Sequence, residues 1–130
     1  MTKEEIITYW VDSSFIDFQA MESLFNNGHY VWTLFTGHLV IEKLLKAHYV
    51  KAVDRGVPMI HNLLRLAELA HLDVQESQKD FLLELTAFNI RARYPDYKKR
   101  FYQKATGAFT EAYLNQIKGF REWLLKKLMN

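Results

Sequence analysis

Residues 86–102 read TAFNIRARYPDYKKRFY, and the change of character within them sets the fold. The stretch closes an apolar stripe in which Phe81, Leu82, Leu85, Phe88 and Ala92 recur at helical spacing. Pro95 pushes Tyr94 out of helical geometry, so this helix is expected to end near Arg93. Arg91 and Arg93 then lie in its last turn, where cations meet the negative end of the helix dipole. From Arg91 to Lys104 there are six Lys or Arg and one acid, Asp96. The chain as a whole carries only +2, so the entire positive excess sits in this one place. Such a concentration points to an anionic partner, a phosphate group or a nucleic acid.

Outward from this stretch the spacing stays helical. Ile7, Trp10, Val11, Phe15, Phe18, Met21, Leu24 and Phe25 make one stripe, predicting a helix from about Lys3 to Asn27. Gly28 suits a left-handed cap at its end. Val31, Leu34, Phe35, Ile41, Leu44, Leu45, Tyr49 and Ala52 predict a second long helix from about His29 to Val53, ended by the Asp54–Pro58 segment. Two long helices joined by a short turn lie antiparallel. A shorter, strongly apolar helix is expected over His61–Leu72, followed by a capping box from Asp73 to Glu76. Phe109, Tyr113, Ile117, Phe120, Leu124 and Leu128 predict a long closing helix from about Thr106. The reading is all-α: one domain over residues 1–130, an up-and-down bundle of about five helices.

Composition narrows the function classes. At 130 residues and 49% hydrophobic, the chain can bury a core without staples. It has no cysteine, which removes disulfides, thiolate metal sites and cysteine nucleophiles. No secretory signal or membrane-length apolar run is visible, and the expectation is a cytoplasmic protein with no membrane partner. No Gly-rich phosphate loop, nucleophile elbow or paired-histidine zinc motif occurs. No metal and no cofactor are expected.

The candidate residues each have a plainer alternative. Arg91, Arg93, Lys98, Lys99 and Arg100 can grip phosphates, or simply form a solvated basic turn. Tyr94 and Tyr97 can stack on a base, although a Tyr beside Pro commonly packs at the core edge. His61 is placed to cap a helix or touch a phosphate. Lys43 is a further candidate for the same ligand. His38 and Glu42, four apart, are expected to hydrogen bond within the bundle, and Glu42 and Lys46 to pair. Trp10, Phe15, Phe18, Trp32 and Phe35 are read as core, with a dimer seam as the alternative.

Four elements in order carry a resemblance to a known family. They are His38–His48 (HLVIEKLLKAH), His61–Leu66 (HNLLRL), Ile90–Asp96 (IRARYPD) and Trp123–Leu128 (WLLKKL). In order and spacing they resemble the HEPN domain (higher eukaryotes and prokaryotes nucleotide-binding). The resemblance implies a helical bundle that commonly forms a homodimer. It implies a minimal nucleotidyltransferase as partner in a toxin–antitoxin-like module, and nucleotide or RNA as ligand. Some relatives are ribonucleases that use an Arg followed four to six residues on by a His, and in some a nearby Tyr is modified with adenylate. Here the positions four to seven residues on from Arg91 are Pro95, Asp96, Tyr97 and Lys98, those after Arg93 are Tyr97 to Arg100, and no His occurs from Asp73 to Asn130. Asp96 occupies one possible slot of the missing His, where a carboxylate is a poor proton donor at neutral pH, and Tyr97 stands near the place of the modified Tyr, one residue out of register. The sequence therefore favours a binding protein, with Arg91, Arg93, Tyr94, Asp96, Tyr97, Lys98, Lys43 and His61 as its site. A degenerate ribonuclease and a non-catalytic scaffold are the alternatives.

Overall fold

Thr2 starts the first helix by reciprocal capping: its hydroxyl accepts from the Glu5 amide at 3.1 Å, and the Glu5 carboxylate accepts from the Thr2 amide at 3.0 Å. The computed structural model describes residues 1–130. Its helices are α1 (Lys3–Asn26), α2 (Tyr30–Ala52), α3 (Leu63–Leu69), α4 (Glu76–Arg93), α5 (Pro95–Lys104) and α6 (Gly107–Leu128). Gly28, at φ 78°, ends α1 in the left-handed region. There the Gly28 amide donates to Phe25 O and the His29 amide to Leu24 O, a Schellman closure that reverses the chain into α2. The all-α bundle stands as read, with six helices in place of about five.

The extra helix is α5. Pro95 does end α4, but it also occupies the first helical position of the next element, where its fixed φ and missing amide cost nothing. Two smaller expectations are corrected by local bonding. α3 covers only Leu63–Leu69, because the Asn62 side chain accepts from the Arg65 amide and sets the start there, leaving His61 outside. α4 begins at Glu76 after Gln75, whose amide donates to the Gln78 side chain at 2.8 Å, so Asp73 is not its cap.

α2 is the hub. Fourteen of its 23 residues are buried, and it packs on every other helix. That explains its weak amphipathic pattern: a helix covered on all sides has no solvent stripe. α1 and α6 cross it closely at Gly37, where a Cβ would come 2.5 Å from Ile117 Cδ1. Two buried side-chain hydrogen bonds tie this hub to its neighbours through backbone. The Ser14 hydroxyl donates to Val40 O at 2.8 Å, and His48 Nε2 donates to Leu124 O at 2.8 Å, fastening α2 to α6. Burial holds the His48 imidazole below its ordinary pKa, so it stays neutral and keeps a donor aimed at that carbonyl.

The apolar centre is aliphatic around Phe88. Phe88 stacks on Phe101 at 5.1 Å between ring centroids and meets Tyr113 edge-on at 4.9 Å. Phe101 is the one buried residue of α5, so it alone anchors that helix to the bundle. The five aromatic residues expected in the core sit instead at its margin: none is fully buried, and Phe15 is 47% exposed. Each carries a cation over its ring, Lys46 on Trp10, Arg121 on Phe15 and Phe18, Lys98 on Trp32, and Arg93 on Phe35. Rings capped in this way keep one face solvated by charge, which offsets incomplete burial. No helix is long and apolar enough to cross a membrane.

Candidate functional site

Tyr94 is the joint between α4 and α5. Its backbone is extended (φ −95°, ψ 127°), its amide donates to Ile90 O at the end of α4, and its carbonyl accepts from the Tyr97 and Lys98 amides to open α5. On α5, Tyr97, Arg100, Phe101 and Lys104 fall three or four residues apart and so share a face. Together with Arg91 of α4 they line a cleft of about 280 Å³. Three cations and a phenol thus surround an apolar wall supplied by Phe101, and no carboxylate is among the lining residues.

None of the six cations between Arg91 and Lys104 has an acidic partner within 4.0 Å. Surface cations are commonly neutralised by neighbouring acids, so unpaired charge gathered around a concavity is a ready anion site. Close by, the Tyr113 hydroxyl donates to the Glu84 carboxylate. Burial, followed by that carboxylate, pushes the Tyr113 phenol up to about 12, and the Arg91 charge acts in the opposite direction. Tyr113 is therefore a fixed neutral donor that occupies Glu84 beside Arg91.

The structure divides the residues singled out in the sequence. Arg91 and Tyr97 meet in the cleft. Arg93, two residues on, faces α2: its Nε donates to Asn89 O at 3.1 Å and its guanidinium lies 5.5 Å from the Tyr94 ring and 6.0 Å from Phe35. Lys98 also turns to α2, 5.0 Å over Trp32. Asp96 is exposed without an ion pair, and Tyr94 is about half exposed. Lys43 is taken up by α1, 2.7 Å from Asp17 and 2.8 Å from the Ser13 hydroxyl, and does not join the cleft. Arg100 is among the basic residues singled out in the sequence, whereas Lys104 is only counted in the cluster, and the sequence groups neither with Tyr97. Their signal was the 97–100–104 spacing, which has meaning only once α5 is known to be a helix.

A second polar cluster lies along α2. Glu42, 4% exposed, accepts from Lys46 Nζ at 3.0 Å and from His61 Nδ1 at 2.8 Å. The expected direct His38–Glu42 hydrogen bond is not made, since the two stand 3.9 Å apart. His38 Nε2 donates instead to the His61 carbonyl at 2.9 Å, and its Nδ1 is buried without a partner. Desolvation lowers the His38 pKa, partly countered by the His61 carbonyl and Glu42, while the charges of His61 and Arg93 lower it further. No three His, Asp or Glu side chains gather in a way that could hold a metal ion.

Fold and site together define a small all-α domain with a basic cleft at the junction of its fourth and fifth helices. The chain matches the family model described as HEPN domain over residues 7–128, and it belongs to the HEPN family. No curated protein and no solved structure gives a significant match.

Proposed function

We propose that this HEPN protein binds a nucleotide or RNA through phosphate at the α4–α5 cleft. The observation that carries this reading is the gathering of Arg91, Arg100 and Lys104, all unpaired, around one concavity with Tyr97. Arg supplies forked donors that match phosphate oxygens, and Tyr97, 52% exposed, offers a ring for a base. At about 280 Å³ the space suits a phosphate and its attached sugar rather than a whole dinucleotide. Of the earlier candidates, Arg91, Arg100 and Tyr97 bind directly in this reading. Asp96 and Lys98 do not line the cleft, and Lys43 has no part.

The same reading makes the chain the helical subunit of a homodimer that works with a minimal nucleotidyltransferase. Membership of the family supports this, as does the apolar surface that α1 leaves uncovered. Titration calorimetry with ATP, GTP and a single-stranded oligoribonucleotide tests the binding. The wild type is expected to bind at least one of them, and Arg91→Ala or Arg100→Ala to weaken it about tenfold or more, with a shallower salt dependence. Absence of heat with every ligand at millimolar concentration would discard the cleft as a phosphate site.

A further inference from the structure

Helix α6 gives no lining residue to the α4–α5 cleft, yet side chains near its start act on the cleft's cations. Lys104 Nζ lies 5.5 Å from the centroid of the Phe109 ring, whose face attracts the charge. Tyr113, one turn further along α6, packs on Phe109 at 5.0 Å and on Phe88 at 4.9 Å between ring centroids. Held by two rings, the phenol has a fixed direction, and its hydroxyl donates to the Glu84 carboxylate. A hydrogen bond to an ionised acceptor is about twice as strong as a neutral one, so this contact is well able to hold an exposed glutamate.

Glu84 is the acid of α4 best placed to quench the cleft. It stands seven residues before Arg91, on the same side of the helix and about 10.5 Å away along the axis. Helical side chains lean toward the N-terminus, so Arg91 leans toward Glu84. An arginine and a glutamate are together long enough to close that gap. They do not close it: Arg91 has no acidic partner within 4.0 Å, and Glu84 does not line the cleft. The phenol lies within reach of both charges, since burial and then Glu84 raise its pKa while Arg91 lowers it. We propose, on the reading of the cleft as a phosphate site, that Tyr113 is its positioning residue: by holding Glu84 it keeps the carboxylate off Arg91 and leaves the guanidinium free. Tyr113 touches no ligand in this arrangement. It acts through Glu84, and its hydroxyl is the part that matters.

The test is titration calorimetry of the full chain with ATP, GTP and a single-stranded oligoribonucleotide. Wild type is compared with Tyr113→Phe, Glu84→Gln and the double variant. Phenylalanine keeps the ring against Phe88 and Phe109, so Tyr113→Phe should keep the helical signal. It is expected to weaken binding about three- to tenfold, less than Arg91→Ala does. Glu84→Gln should bind as wild type does, and adding it to Tyr113→Phe should restore wild-type affinity. A tyrosine that only braces α6 against α4 gives no such rescue. Wild-type affinity in Tyr113→Phe overturns the proposal, as does a double variant no better than Tyr113→Phe. Weaker binding by Glu84→Gln alone overturns it too, by making the carboxylate a ligand contact. A crystal structure of ligand-free Tyr113→Phe gives a readout that needs no binding, with Glu84 expected within about 4 Å of Arg91. Side chains that stay apart there overturn the proposal. Side chains that pair there, beside a wild type that binds none of the three ligands, sustain the role of Tyr113 and discard only the phosphate reading.

Discussion

The buried histidines show how a single side chain sets a property of the whole fold. His38 and His48 each donate one ring hydrogen to a distant backbone carbonyl, and burial makes both less basic than in the unfolded chain. As pH falls, the unfolded chain takes up protons that the native state resists. Their contribution to stability is therefore complete above about pH 6.5 and lost progressively below it. Urea midpoints between about pH 5 and pH 8 should decline on the acid side of that value. His48→Gln keeps a donor for Leu124 O without a titrating ring, so it should flatten part of the decline and change stability near neutrality by about 1 kcal/mol or less. An equally steep acid limb in that variant would place the titration elsewhere. The roles of these rings were half legible: the i, i+4 spacing of His38 and Glu42 was visible in sequence. The partner each one chose was not, because His61 arrives by a connection whose path no local pattern encodes.

At the level of elements, α5 depends on one contact. Phe101 is its only buried residue, stacked on Phe88, and the cleft lies between α5 and Arg91 of α4. Phe101→Ala should cost about 3–5 kcal/mol and free α5 from the bundle before the rest unfolds. Hydrogen exchange would register this as lost protection from Tyr97 to Ala105 with α2 and α6 still protected. Uniform loss across all helices would contradict a single-anchor α5. The helix itself was missed because Pro95 ends one helix and begins the next, and sequence alone shows only the first. α3 closes by the same bonding pattern as α1, with Leu72 N on Ala67 O and His71 N on Glu68 O. Its left-handed position holds His71, at φ 59°, where α1 has Gly28. His71→Gly relieves that strain, offset in part by greater freedom of the unfolded chain, so a gain of about 0.5–1 kcal/mol is expected in thermal or urea denaturation. A loss would mean that the His71 side chain contributes more than its backbone costs.

For the molecule as a whole, the bundle was legible because apolar spacing of three and four recurs through nearly the entire chain. What that spacing cannot tell is how many sides of a helix are covered. α2, wrapped on all sides, and α1, packed mainly on α2, show comparable stripes in sequence, yet α1 buries fully only Ser14 and Met21. The same ambiguity placed the aromatic residues in the core when they belong to its cation-capped margin. α1 is left with Ile16 at 65%, Tyr9 at 56% and Phe15 at 47% exposure, and Tyr9 and Ile16 lie two turns apart on one side. A second copy laid on this helix would bury these residues, and a stable pairing needs about 800 Å² from each protomer. The surface along a 24-residue helix is long enough to supply that area. Analytical ultracentrifugation should therefore find the wild type as a dimer at micromolar concentration. Ile16→Glu should make it a monomer with unchanged helical content, because a side chain this exposed adds nothing to the core of one protomer. Dimers that persist in Ile16→Glu would move the interface away from α1, and a wild-type monomer at about 100 µM, a concentration at which even a weak interface associates, would remove the homodimer from the reading.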